Sequence, residues 1–360
     1  MAPVKKSSSK TTPRSARAPR KRASRSERVR ASRAPPNIAP KEPVVYNSPY
    51  AYAYAVADPA VSPFTFDNIM VATTSEDTAV SFLLRHGLLA SSKTCEYCDY
   101  PMNLCVYKRG TEDEDRRWRC RRSGHPDKEL SLKKGSFFDG TKRAYRTVLR
   151  LMFFWASDIP VGTAEQFLGI SDVTAIDWYG FCRDICSADM LQCSMMIGGV
   201  GHTQHEDYWL FGGVDRATGR WFGIVTGPDR KKKTLSPLIG KHIMAGSTII
   251  SDQFSSYVSV NGKHTLENNK WLKGKNYTHK WVNHDKFFVD PKTGGHTNRI
   301  KGTWEVRVKR YIKAMRGVPK ERLDQYLDMY LWKSWYFNGT VPKCQYLDGL
   351  VQGIRKHYPV

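Results

Sequence analysis

Large apolar residues are almost absent from the first 44 positions and recur in blocks from there on. Residues 1–44 are mainly Ser, Pro, Ala, Lys and Arg, and a segment with so little to bury is expected to be disordered. Residues 45–66, rich in Tyr, Ala and Pro, read as a linker, so that 1–66 form a basic tail and linker. A first helix is predicted over Ser75–Leu89, where Glu76 and Asp77 favour the N-terminus and Val80, Phe82, Leu83 and Leu84 supply an apolar face. A Cys-bearing hairpin region follows at 95–138, helical periodicity returns over 142–190, and strands alternate with helices over about 208–315. An amphipathic helix near Lys320–Tyr336 closes the folded part. The expected fold class is α+β/α/β and multidomain, divided as 1–66, 67–140, 141–195, 196–340 and a C-terminal tail, 341–360. There is no internal repeat.

Charge narrows the class of partner. The 360 residues hold 57 Lys and Arg against 34 Asp and Glu, a net charge of +23. That excess predicts a polyanion, nucleic acid ahead of an acidic membrane. Residues 1–44 carry 13 basic and 2 acidic side chains, or +11, so +12 remains for the folded part. The run Pro19-Arg20-Lys21-Arg22 reads as a nuclear-import or DNA-backbone patch, the alternative being a solvated basic tail with no receptor. At 40% hydrophobic residues, with ten Trp, the chain can bury a real core. It has no apolar run long enough to span a membrane and no secretory signal at its N-terminus.

Eight sparse cysteines suit a reducing compartment with a metal site better than a disulfide framework. Cys95-Glu96-Tyr97-Cys98 is a C-x2-C knuckle, and Cys120 and His125 follow it on the far side of a polar turn. Two short hairpins presenting these four ligands meet the tetrahedral requirement of zinc; the alternative is scattered free thiols. Cys105 is a spare strand residue, and Cys182, Cys186, Cys193 and Cys344 read as small core residues.

Val161–Tyr179 has the layout of a helix-turn-helix, the alternative being an ordinary helical hairpin. A short helix, Thr163–Leu168, stops at Gly169; Ile170 packs inward; and Ser171 caps a second helix with Val173, Ile176 and Phe181 inside. Thr174, Asp177, Trp178 and Arg183 are then expected to face a major groove. Further on, Tyr208–Asp215 and Arg220–Val225 form a hairpin around Ala217–Gly219, with Asp215 a turn residue, and Ser247–Asp252 is an apolar strand ending in a carboxylate.

Several of these segments closely resemble the DDE transposases of Merlin elements and their bacterial insertion-sequence relatives. The carriers are Trp209–Gly219, Thr248–Asp252, Asn283–His284, Phe288–Asn298 and Trp304, with Trp118–Cys120, Lys134–Phe138 and Asp177–Cys182 before them. The resemblance covers about residues 75–336. It implies a zinc ribbon, a helix-turn-helix domain and an RNase H-like mixed sheet with flanking helices. It also implies double-stranded DNA as partner, at element ends or genomic sites, and self-association, while the basic run Arg20-Lys21-Arg22 points to the nucleus. The family reaction is strand nicking and strand transfer at two Mg2+ ions held by three acidic side chains.

Asp252 matches the second of those acids. The first acid and its strand are expected between Ile197–Thr203 and Tyr208, where only Gln204-His205-Glu206-Asp207 stands, so that strand is read as missing. The third acid, after His296-Thr297-Asn298-Arg299-Ile300, is replaced by Lys301; Asn298 or His296 is the weak substitute. The expectation is a transposase-derived DNA-binding protein with impaired catalysis. The alternatives are an active transposase whose sequence is incomplete, and a zinc-stabilised adaptor for RNA or protein.

Overall fold

The computed structural model describes residues 54, 56–107, 115–124, 126, 128–192, 201–203, 209–226, 229–337 and 341–360. Arg20, Lys21, Arg22, His125, Cys193 and Gln204–Asp207 lie outside the described residues. Among the described residues no helix is long and apolar enough to cross a membrane.

Polar caps set the first two helices. Thr65 caps α1, Phe66–Ala72, and Ser75 caps α2, Glu76–Arg85. Ser75 Oγ accepts from the Thr78 amide at 3.1 Å and Thr78 Oγ1 accepts from the Ser75 amide at 3.1 Å, a reciprocal capping box. The predicted first helix is this α2, ended before Gly87, whose φ of 66° is left-handed. Its apolar stripe of Ala79, Val80, Phe82 and Leu83 is buried.

The Cys-bearing region forms a three-stranded antiparallel sheet, β1 (Asn103–Tyr107), β2 (Asp115–Cys120) and β3 (Lys128–Ser131). Along β2, Arg116, Trp118 and Cys120 point inward while Asp115, Arg117 and Arg119 are half-exposed, the period-two alternation of a strand covered on one face.

A helical layer follows: α3 (Tyr145–Ala156), α4 (Val161–Leu168) and α5 (Asp172–Gln192). Gly169, at φ 58°, ends α4 in the left-handed conformation, as the sequence predicts. Ser171 Oγ accepts from the Thr174 amide at 3.3 Å at the start of α5.

A short strand is present just ahead of Gln204–Asp207, the gap where the first catalytic strand is expected and which lies outside the described residues. β4, Gly201–Thr203, pairs antiparallel with β5, Leu210–Val214, which pairs antiparallel with β6, Trp221–Val225. Backbone groups satisfy one another whatever the side chains are, so a strand survives there without an acid among its three residues. Gly212 is required in β5: a Cβ there would stand 2.1 Å from the Phe222 carbonyl oxygen and 2.5 Å from the buried Trp304 ring. After α6, Lys232–His242, strands β7 (Thr248–Asp252) and β8 (Thr278–Val282) pair in parallel, and β4 lies against β7. The continuous helical run Asn298–Ala314 then follows, made of α7 (Asn298–Trp304), a π turn (Glu305–Lys309) and α8 (Arg310–Ala314).

The chain ends in two long helices, α9 (Leu323–Tyr336) and α10 (Lys343–His357). Residues 341–360 are thus not a tail: Leu347, Leu350, Val351 and Ile354 of α10 are core residues. Both helices pack on α5, so the 141–195 and 196–340 segments share one core rather than standing as separate domains. The end of the expected linker is also packed. The Ala57 amide donates to Asp348 of α10 at 2.8 Å, and Tyr54 donates to Asp189 of α5. Asp189 is fully buried and also accepts from Trp332 Nε1 (2.8 Å), Lys356 Nζ (2.9 Å) and His357 Nε2 (2.8 Å). One carboxylate therefore ties α5, α9, α10 and the segment before α1 together.

Candidate functional site

Three thiols converge at the edge of the first sheet. The Cys95 amide donates to the Tyr100 carbonyl at 2.9 Å, the Asp99 amide to the Cys95 carbonyl at 2.8 Å, and Asp99 takes a positive φ of 50°. That tight turn turns Cys95 and Cys98 toward Cys120, at the end of β2. The three sulfurs lie within 4.8 Å of one another, and Cys98 Sγ is 3.8 Å from Cys120 Sγ. The Tyr97 amide, bonded to the Cys95 sulfur, leads in holding that thiol below its usual pKa, against the effect of burial. At Cys120 the Arg122 amide pulls the other way, but burial and the neighbouring thiols keep the pKa raised. Amide-stabilised, clustered thiols are the donor set zinc prefers. His125, the fourth expected ligand, is outside the described residues. Cys105 sits in β1 opposite Arg117, a strand residue as read, and Cys182, Cys186 and Cys344 are buried.

Asp252 lies where β7 ends, opposite Val282 of β8. The strand end is fixed from behind. Ser251 Oγ donates to the Asp252 carbonyl at 2.7 Å and meets His279 Nε2 at 2.9 Å. Burial lowers the His279 pKa to about 4, so the ring is neutral, and its Nδ1 accepts from the Leu266 amide at 3.2 Å. Asp252, Asn283, His284, Asp285 and Lys286 line a cleft of about 520 Å³, and Asp252 Oδ1 is buried without a hydrogen-bond partner.

The position expected to carry the third acid bears the opposite charge and reaches a histidine that lines the cleft. Lys301 Nζ lies 3.3 Å from His284 Nε2, which also meets Thr297 Oγ1 at 2.8 Å. His296 lines a different pocket, with Asp215 and Arg216, and its carbonyl accepts from Arg216 at 2.7 Å. Asn298 begins α7, half-buried. Asp215 accepts from the Ala217 amide and the Thr218 hydroxyl, a turn residue as expected.

Among the described residues, Cys95, Cys98 and Cys120 are the one group of three or more His, Cys, Asp or Glu side chains close enough to share an ion. The donors described at the Asp252 cleft do not fit a magnesium pair. An ammonium about 4 Å from Mg2+ would oppose it by roughly 8 kcal/mol at an effective dielectric of about 20.

The expected groove-facing residues of α5 need correction. Trp178 is 3% exposed and packs edge-on against Phe137 and Phe181. Arg183 is 2% exposed, with its guanidinium 4.3 Å from the Tyr326 ring centre and its pKa lowered chiefly by burial. Neither reaches a groove. α5 is packed by α3, α4, α9 and α10, and its middle keeps only a half-exposed stripe, with Asp177, Phe181, Asp184 and Ala188. Its first turn is the more open: Val173, expected inside, is 48% exposed, and Thr174 is half-exposed and accepts from Arg143 at 3.0 Å.

A second basic element went unread in the sequence. Residues 299–316 hold seven Lys or Arg and one acid, Glu305. The run Asn298–Ala314 buries only the stripe Ile300, Trp304 and Val308, at a spacing of four, and Arg299, Lys301, Arg307, Arg310 and Lys313 are exposed. Glu305 pairs with Lys313 at 2.8 Å and Lys309 at 3.6 Å, which leaves the run strongly positive beside the Asp252 cleft. The charge count over that window was the available signal.

Residues 196–334, which take in both sheets with Asp252, Lys301 and the basic run, match the family model of the ISXO2-like transposase domain. The chain is also 28% identical over 128 residues to an uncharacterized transposase-like protein of Haemophilus influenzae, covering 35% of this chain and 89% of that protein.

Proposed function

We propose that this protein is a transposase-derived binder of double-stranded DNA, of Merlin-type ancestry, whose strand-transfer centre no longer holds a magnesium pair. The observation that carries this reading is the placement of Lys301, its ammonium 3.3 Å from a histidine that lines the Asp252 cleft. The match over residues 196–334 and the position of Asp252 at the end of a parallel strand pair support an RNase H-like centre. Nicking and strand transfer there require two cations between acidic side chains, and the cleft's Asp252, His284 and Asp285 do not gather into one ion-sharing group, while the Lys301 ammonium sits on that histidine.

DNA binding survives this loss because it needs different residues. Arg307 and Arg310, on the exposed face of the run Asn298–Ala314, neutralise backbone phosphates, and the first turn of α5 with Thr174 is a further contact. Zinc, held by Cys95, Cys98 and Cys120 with His125, fixes the ribbon. The run Arg20-Lys21-Arg22 suits nuclear import, and self-association follows the habit of proteins that pair DNA ends.

The test separates binding from catalysis. Arg307→Glu with Arg310→Glu should weaken duplex binding and make the salt dependence shallower by about two ions. An unchanged slope would move the interface elsewhere. Supercoiled DNA carrying element ends should stay intact with Mg2+; nicking abolished by Asp252→Asn would overturn the impaired centre.

A further inference from the structure

Phe287, Phe288 and Val289 are 45%, 70% and 43% exposed, an aromatic tip on an otherwise polar segment. Two turns hold the tip rigidly. On one side the Phe287 amide donates to the Asn283 carbonyl at 2.8 Å and the Asp285 amide to Asn283 Oδ1 at 2.9 Å. On the other, Asp290 Oδ1 accepts from the Thr293 amide at 2.7 Å and the Lys292 amide at 3.1 Å, and the Asp290 amide donates to the Gly295 carbonyl at 2.9 Å. The Asp290 carboxylate is thus engaged by its own loop, while Lys286 and Lys292 flank the tip. Lys286 itself lines the Asp252 cleft, next to the basic run.

We infer that Phe287 and Phe288 are a stacking site for an unpaired nucleobase, presented at the mouth of the Asp252 cleft. This rests on the DNA-binding reading above. Phenyl faces with no hydrogen-bonding edge accept any base, and flanking ammonium groups match the phosphates on either side of it. A base leaves the stack at least cost where it has no partner, so the site favours distorted or bulged DNA over regular duplex. Rigid turns mean that little order is lost when the aromatic tip is engaged. The tip itself is balanced, Lys286 and Lys292 against Asp285 and Asp290, and the charge that favours nucleic acid as occupant is that of the basic run Asn298–Ala314, whose Lys301 meets His284 of the same cleft.

The experiment compares a paired duplex with the same duplex carrying one bulged 2-aminopurine, using the full chain. The wild-type protein should prefer the bulged duplex by about tenfold and quench the probe, the gain expected from one stacked base. Phe287→Ala with Phe288→Ala should lose both the preference and the quenching while binding paired duplex as before; Phe288→Trp should keep them. A double variant that retains the preference overturns the inference, as does a wild-type protein that binds both duplexes equally. A double variant that changes only the sedimentation of the protein would make the tip a self-contact and overturn it too. Failure to bind either duplex would instead remove the DNA-binding reading, and this site with it.

Discussion

Asp189 shows how much one residue can hold. Burial alone would raise its pKa, but His357, Tyr54 and Lys356 outweigh it and keep the carboxyl below its usual range. Its stabilising contribution is therefore present above about pH 4, the unfolded value, and is lost as pH falls through the lower folded value. Asp189→Asn should cost about 3–5 kcal/mol at pH 7 by urea unfolding, because it leaves buried donors without a charge to meet. The gap between wild type and variant should narrow below about pH 4; a gap constant with pH would show that the carboxylate does not titrate with folding. Nothing in the sequence marks this residue. Its partners Tyr54, Trp332, Lys356 and His357 come from three distant segments, and only packing brings them together. Trp178 and Arg183 failed for a related reason: the pattern on α5 gives a period, and the neighbours that later cover each face decide which positions are open.

At the scale of elements, the Cys95–Cys98 knuckle was legible because metal chemistry imposes a short, local spacing. The sheet β1–β3 has few large side chains to bury beyond Trp118, so its order should depend on the ion. Cys98→Ser should lower bound zinc from one per chain to none by elemental analysis and abolish slow amide exchange in β1–β3. Retained zinc would place the ligands elsewhere. The basic run 298–314 is equally open to a charge count, since seven cations fall within residues 299–316. The helix α10 was read as a tail because Gly349 and Gly353 dilute its apolar pattern. Those glycines have a packing role: a Cβ at 353 would stand 2.6 Å from Ile185, and one at 349 would stand 2.4 Å from Phe337.

For the molecule as a whole, the return of α9 and α10 onto α5 joins what the sequence divides. Ending the chain before Lys343 removes Leu347, Leu350, Val351 and Ile354 from the core and strips Asp189 of two donors. Four buried aliphatic side chains are worth about 6–12 kcal/mol, comparable with the entire stability of a domain. The truncated protein should therefore lose cooperative unfolding across α3, α5 and α9 by circular dichroism. A sharp transition at the wild-type temperature would return 341–360 to the status of a tail.

The sequence by itself determined the charge, the cysteine knuckle, the helix stop at Gly169, the strand ending in Asp252 and the lysine at 301, because each depends on a residue's own chemistry or on neighbours a few positions away. Tertiary structure decided that Lys301 meets His284 beside Asp252, that four helices pack on α5, that a short strand pairs with β5, and that the last helix belongs to the core. The α5 and last-helix outcomes depend on faces covered by segments more than a hundred residues apart, and the Lys301–His284 contact on how the chain folds back across 17 residues, which no local pattern carries.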